Sequence, residues 1–245
     1  MTARHTAFSF RHAVAAALLA TSSPVLANTG TVFSPDVKAG EMALEFRSSL
    51  VPEDGSSPDV LSPRLHFQYG FSDAWRARII GVQRSVDGGS FDYRYTRVEL
   101  QWQYREDDDG GHDAALRFEA QLGSGTPDRL RIGWTGKKDI NDRWQLRANA
   151  LVGRQFGDGA ASGLSLETRF EATTRLSANS RLGLEMFNDL NTTEDLGGFD
   201  DQEHQLGPIL KARFGDGWGF NTSYLVGVSD AADDGNWRLL ISKNF

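Results

Sequence analysis

The chain has no cysteine, so an exported form of it cannot rely on disulfides and must draw its stability from the fold. Basic residues are outnumbered: 26 Lys and Arg stand against 33 Asp and Glu, a net charge of −7. Phosphate binding wants clustered Lys and Arg, so this balance argues against nucleic acid as a partner. Histidine is scarce, with only His66, His112 and His204 after residue 27. Long apolar runs are missing as well. Beyond the amino-terminus nothing approaches the roughly 20 residues a membrane helix needs, which excludes a helical membrane protein.

What is present begins with Arg4 and Arg11, an apolar run Ala13 to Ala20, and the small residues before Ala27. A basic start, a short apolar centre and small residues at the cut predict a cleaved secretory signal over 1–27. That segment holds two arginines and no acid, so the net charge of −7 becomes −9 without it. Residues 28–38 form a lead-in expected to lie in the periplasm, and 39–245 form the body of the protein.

The body is organised around its last ten residues, NWRLLISKNF. Phe245, Lys243, Ile241, Leu239 and Trp237 share one parity; Asn244, Ser242, Leu240 and Arg238 share the other. Successive side chains on a strand point to opposite faces, so this is a strand with one apolar and one polar face. A Phe-terminated strand of this pattern resembles the closing strand of Gram-negative outer-membrane barrels, which the assembly machinery recognises; Lys243 departs from the apolar residue usual there.

The same alternation recurs about every ten residues between Gly, Asp, Ser and Pro punctuation. Val98, Leu100, Trp102 and Tyr104 oppose Arg97, Glu99, Gln101 and Gln103; Trp144, Leu146 and Ala148 oppose Gln145, Arg147 and Asn149. Counting such segments predicts an all-β protein, a transmembrane antiparallel up-and-down β-barrel of about twelve strands. With both termini in the periplasm, Trp75, Trp102, Trp134, Trp144, Trp218 and Phe245 fall at the periplasmic interface, and Trp237 at the outer rim. An indole prefers the headgroup level to hydrocarbon, so sorting by strand polarity favours lipid outside over a soluble core. Short turns at 72–74, 177–180 and 215–217 suit the periplasmic side, and longer loops at 51–62 and 191–203 suit the outside. The acidic turn 106–113 is long for its side.

By parity the lumen receives Arg47, Arg76, Arg78, Arg97, Arg117, Arg129, Arg131, Arg147, Arg169, Arg181, Arg213 and Arg238. Facing them are Glu41, Glu45, Glu99, Glu119, Glu167, Glu171 and Glu185. Fixed guanidinium groups lower the barrier for acidic solutes, which makes an anion-attracting wall. The alternative is an ion-pair lattice between adjacent strands that simply fills the interior. Arg131 and Arg147 are expected to set selectivity if they line a pore.

No residue is assigned a catalytic, cofactor-binding or metal-ligating role, and the chain is read as a non-enzyme. Outer-membrane lipid hydrolases need a serine beside a histidine at the lipid-facing wall, and no such serine matches the three histidines. The acidic loops, such as 230–234 (DAADD), are either solvated surface or cation-bridged contacts to lipopolysaccharide phosphates.

The His204 to Gly207 segment (HQLG), the Phe220 to Asp230 strand (FNTSYLVGVSD) and the Phe-terminated closing strand resemble small outer-membrane transporters of aromatic-degradation (phenol meta-pathway) gene clusters. The pattern is also similar to the twelve-stranded oligogalacturonate and sialic-acid porins with arginine-lined lumens. These resemblances imply an outer-membrane channel for small, anionic solutes whose partners are lipid, lipopolysaccharide and the assembly machinery. The other expectations are a non-conducting structural barrel with a closed lumen and, third, a lipid hydrolase.

Overall fold

The computed structural model describes residues 29–53, 58–107 and 111–245, so the expected signal lies outside the described residues. Twelve strands follow one another: β1 (Met42–Val51), β2 (Val60–Gly70), β3 (Trp75–Val86), β4 (Asp92–Arg105), β5 (Asp113–Gly123) and β6 (Asp128–Asp139). Then come β7 (Trp144–Phe156), β8 (Ser165–Ser177), β9 (Ser180–Thr192), β10 (Glu203–Phe214), β11 (Trp218–Gly227) and β12 (Gly235–Asn244). Each pairs antiparallel with its sequence neighbours, and β1 pairs with β12 to close the barrel. Closure leaves no strand edge with unpaired backbone groups, which a wall facing lipid requires.

Burial is inverted relative to a water-soluble barrel. On β4, Val98 is 50% exposed while its inward neighbour Glu99 is only 4% exposed. The same holds around the ring: Leu65, Ile132, Leu184 and Trp237 stand outside, and Arg117, Glu185 and Asn149 are buried inside. A continuous apolar exterior around a charged interior is the arrangement of a barrel whose solvent outside is lipid. Inside, the apolar clusters are small and separate, such as Val32 with Phe187 and Leu225.

The rim where β1 begins and β12 ends is called here the terminal rim, and the opposite one the distal rim. Aromatic rings ring the terminal rim on the outside. Trp75 stacks on Trp102 at 5.7 Å, Phe71 on Trp75 at 6.5 Å and Phe214 on Trp218 at 6.3 Å. Lys243 belongs to this girdle. Its ammonium hydrogen-bonds the Asp216 carbonyl and sits 5.7 Å from the Trp218 ring, so the stem lies along the apolar wall while the charge reaches the rim. On the terminal rim the connections are short except for 106–112; on the distal rim the longest is 193–202. The loop expected over 51–62 is shorter than that, because β2 begins at Val60 and carries Pro63 within it.

The lead-in expected over 28–38 does not stay outside the barrel. Residues 29–37 run inside the lumen from the terminal rim toward its middle. They turn in at Gly40, whose N–H donates to the Gly70 carbonyl at 2.8 Å. Gly70 is needed there, because a Cβ at this position would lie 2.1 Å from the Lys38 carbonyl oxygen.

Candidate functional site

At mid-height the lumen is filled by alternating guanidinium and carboxylate groups. Glu99 receives Arg78 at 3.2 Å and Arg117 at 2.7 Å. Arg117 also reaches Glu119 at 3.0 Å, and Glu119 holds Arg131 at 2.5 Å. Arg131 continues to Glu167 at 2.7 Å, which pairs with Arg169 at 2.7 Å. Arg97 joins at 3.5 Å from Glu119. This chain of charges crosses strands β3 to β8, and its members are almost all buried. A buried charge without a partner costs several kcal/mol, roughly 3–5, so the lattice satisfies itself rather than waiting for a solute.

Smaller pairs complete the interior. Arg47 meets Glu45 at 2.5 Å, Arg238 meets Glu185 at 2.7 Å, and Lys211 and Arg147 share Glu171, the latter at 3.9 Å. Arg76 hydrogen-bonds the Gln101 amide oxygen at 2.9 Å rather than a carboxylate. Arg181 bonds the Thr173 hydroxyl at 3.0 Å, and Arg213 is exposed at the terminal rim with no ion pair among the described residues. Arg131, expected to set selectivity if it lines a pore, is held on both sides by Glu119 and Glu167.

The 29–37 segment threads this lattice through polar side chains of the wall. The Phe33 N–H donates to the Asn149 amide oxygen at 2.7 Å, and the Phe33 carbonyl accepts from the Thr135 hydroxyl at 2.8 Å. The Gln101 amide donates to the Pro35 carbonyl at 2.8 Å, and Val37 N–H donates to the Gln103 amide oxygen at 2.7 Å. Arg169 donates to the Thr31 carbonyl at 3.1 Å. These bonds satisfy a backbone that has no strand partner of its own. Four arginines surround the Phe33 ring: Arg117 at 3.3 Å from its centroid, Arg169 at 5.2 Å, and Arg47 and Arg78 both at 6.0 Å. The segment and its cage form a floor across the barrel.

Asp36 pins the segment near the terminal rim. It pairs with Lys137, which also holds Asp113 at 2.8 Å, and it accepts a 2.6 Å hydrogen bond from the Ser34 hydroxyl. Burial raises the Asp36 carboxyl, but the hydrogen bonds from Lys137 and Ser34, with the Lys137 and Arg147 charges, outweigh it and hold the carboxyl below its ordinary value.

Above the floor, toward the distal rim, lies a vestibule of about 460 Å³. Its lining includes Arg64, Arg94 and Tyr95 on one side and Asp189 and Glu203 on the other, none of which sequence reasoning placed in the lumen. Arg64 shares the inward parity of His66 and Gln68, but Pro63 beside it reads as loop. Arg94 is on the wrong parity for the lumen until a β-bulge is counted. The β3–β4 register passes from Val82 opposite Tyr95 to Gln83 opposite Tyr93, skipping Arg94 and reversing the alternation.

Among the described residues, His66 and His204 are not assembled with a nucleophile. His66 points inward at 3.2 Å from Glu45, and His204 faces outward with Nδ1 at 2.8 Å from the Asn188 amide oxygen, under the stacked Phe199 ring. Among the described residues no group of His, Asp and Glu is arranged to hold a metal ion.

No protein-family model matches this chain, and no curated protein matches it. Solved structures do. An outer membrane channel from Pseudomonas putida F1 shares 9% identity with a TM-score of 0.62, covering 88% of this chain and 98% of its own. A NanC porin shares 12% identity with a TM-score of 0.60, covering 82% of this chain and all, 100%, of its own. A KdgM porin, also solved with disordered oligogalacturonate, shares 12% identity with a TM-score of 0.57 and covers 83% of this chain and 99% of its own. At such identities the likeness establishes the fold: this chain is an antiparallel β-barrel similar in architecture to outer-membrane channels and porins.

Proposed function

We propose that the protein spans a Gram-negative outer membrane, exported behind residues 1–27, and conducts small polar solutes with a preference for anionic ones. The observation that carries this reading is the pairing of an apolar, aromatic-girdled exterior with a charged interior that retains a 460 Å³ vestibule. Lipid and lipopolysaccharide cover the exterior in this reading, and the closing strand β12 with Phe245 is the segment offered to the assembly machinery. The arginine excess of the vestibule supports an anion preference, as does the acidic oligogalacturonate held by the KdgM porin. The finer resemblance to transporters of phenol meta-pathway clusters is retained as part of this proposal.

A second reading rests on the floor formed by residues 29–37. A self-satisfied lattice threaded by the chain's own segment is also what a non-conducting structural barrel would have. Reconstitution of the folded, full-length protein into planar bilayers separates the two. Discrete current steps whose reversal potential in a salt gradient favours anions support the channel. An absence of steps from protein that still shifts on a gel between unboiled and boiled samples supports the structural barrel.

A further inference from the structure

The vestibule wall contains two cross-strand ladders of like charge, one of each sign. On β1 and β2, Arg47 stands directly opposite Arg64. On β8, β9 and β10, Glu167, Asp189 and Glu203 stand in one row, Asp189 opposite both of the others. Like charges directly opposite on neighbouring strands destabilise a sheet. Each ladder is only partly neutralised. Arg47 is held by Glu45, and Glu167 by Arg131, Arg169 and, at 3.7 Å, Arg129.

The remaining members are left over. Arg64 makes no ion pair among the described residues and its Nε has no hydrogen-bond partner, and Arg97, Arg47 and Arg169 lie within its electrostatic reach. Glu203 makes no ion pair either, and the groups within its reach are Asp189, Asp233 and Glu167, all acids. Arg94, turned inward by the bulge on β4, adds to the cationic side. In the twelve-membered ring β4 and β10 lie diametrically opposite. The vestibule therefore has Arg64 and Arg94 on one wall facing Asp189 and Glu203 on the other, above the floor; Asp189 has Arg129 and Arg131 within electrostatic reach, whereas Glu203 has only acids.

We propose that the vestibule is a binding site for a small zwitterion, whose carboxylate meets Arg64 and Arg94 and whose ammonium meets Asp189 and Glu203. A bidentate guanidinium–carboxylate contact fixes one end, and the carboxylate pair fixes the other. A simple anion satisfies only one wall and leaves Asp189 and Glu203 repelling it. The cavity volume falls in the range of small-molecule sites, about 300–1,000 Å³. This inference refines the solute class of the proposed channel and rests on that reading for transport, though not for binding.

Isothermal titration of the full-length protein in detergent tests it with γ-aminobutyrate and ε-aminocaproate, each beside the acid and the amine of equal chain length. The expected result is that the better zwitterion binds at least about tenfold more tightly than either of its singly charged analogues. Glu203→Gln should weaken zwitterion binding about tenfold without weakening the simple acid, and Arg64→Gln should weaken zwitterion and acid alike. No zwitterion binding, an acid that binds as tightly as its zwitterion, or an unaltered zwitterion affinity in Glu203→Gln overturns the proposal. Binding at equilibrium needs no current, so a barrel that binds zwitterions and shows no conductance keeps this inference and loses the channel.

Discussion

The Arg117 guanidinium sits over the Phe33 ring, its carbon 3.3 Å from the ring centroid, at the middle of the lumen. Arg117 is also tied to Glu99 and Glu119, so the ring is held by a group that the lattice itself fixes in place. A cation over an aromatic face in a desolvated site stabilises by about 2 kcal/mol. The 29–37 segment is thus fastened to the wall by a contact from the strongest part of the interior.

Replacing Phe33 removes that fastening and leaves the wall intact. In Phe33→Ala the barrel should fold and migrate as the parent does, while the single-channel conductance in planar bilayers rises several-fold. An unchanged conductance in a folded Phe33→Ala protein would show that the segment is not the obstruction.

The Asp36 pin should make that obstruction depend on pH. Its carboxyl is held below the ordinary value by Lys137 and Ser34. A depressed carboxyl contributes stability that is fully present above the unfolded value, about 3.9, and is lost as pH falls through the lower folded value. Conductance should therefore be steady from neutrality down to about pH 4 and rise below it. Asp36→Asn should show the higher conductance already at neutral pH and lose the acid step. Other carboxylates titrate in the same window, so it is the difference between parent and variant that reports on Asp36.

The barrel was legible because its alternation is inverted and strict over most of the wall. Twelve strands, the outward tryptophans and the lattice arginines all follow from parity on strands such as β4 and β7. The vestibule was not legible, for local reasons. The bulge at Arg94 switches parity within one strand, and Pro63 makes the start of β2 resemble a loop although Arg64 is in register with Arg47. The floor was hidden for a different reason. Residues 29–37 have no periodicity, and their place is set by Asn149, Thr135 and Gln101, far along the chain. Those three read only as polar inward positions until the segment is seen lying against them.

Glu119 should be among the residues whose loss most weakens the barrel. It faces Arg97, Arg117 and Arg131 at once, at 3.5, 3.0 and 2.5 Å. Removing one partner from a buried ionic cluster leaves the others uncompensated, at a cost of about 3–5 kcal/mol. Urea unfolding of Glu119→Ala in lipid vesicles, followed by tryptophan fluorescence, should show a loss of that size, and Glu41→Ala, in a residue just before β1 with no ion pair among the described residues, should show almost none. Equal midpoints for the two variants would mean that the interior lattice does not hold the wall together.

Selectivity and stability should separate at two arginines of the same lumen. Arg131 is closed on both sides by Glu119 and Glu167, so its charge is already spent within the wall. Arg64 has no carboxylate partner among the described residues and lines the open vestibule. Arg64→Gln should therefore move the reversal potential in a salt gradient toward cations while leaving the unfolding midpoint nearly unchanged. Arg131→Gln should lower the midpoint and shift the reversal potential less. Glu203→Gln, on the opposite wall, should move the potential toward anions, because it removes an acid from a row of three. If Arg131→Gln alters selectivity more than Arg64→Gln does, the solute passes through the lattice rather than past the vestibule walls, and the division between a structural middle and a selective mouth fails.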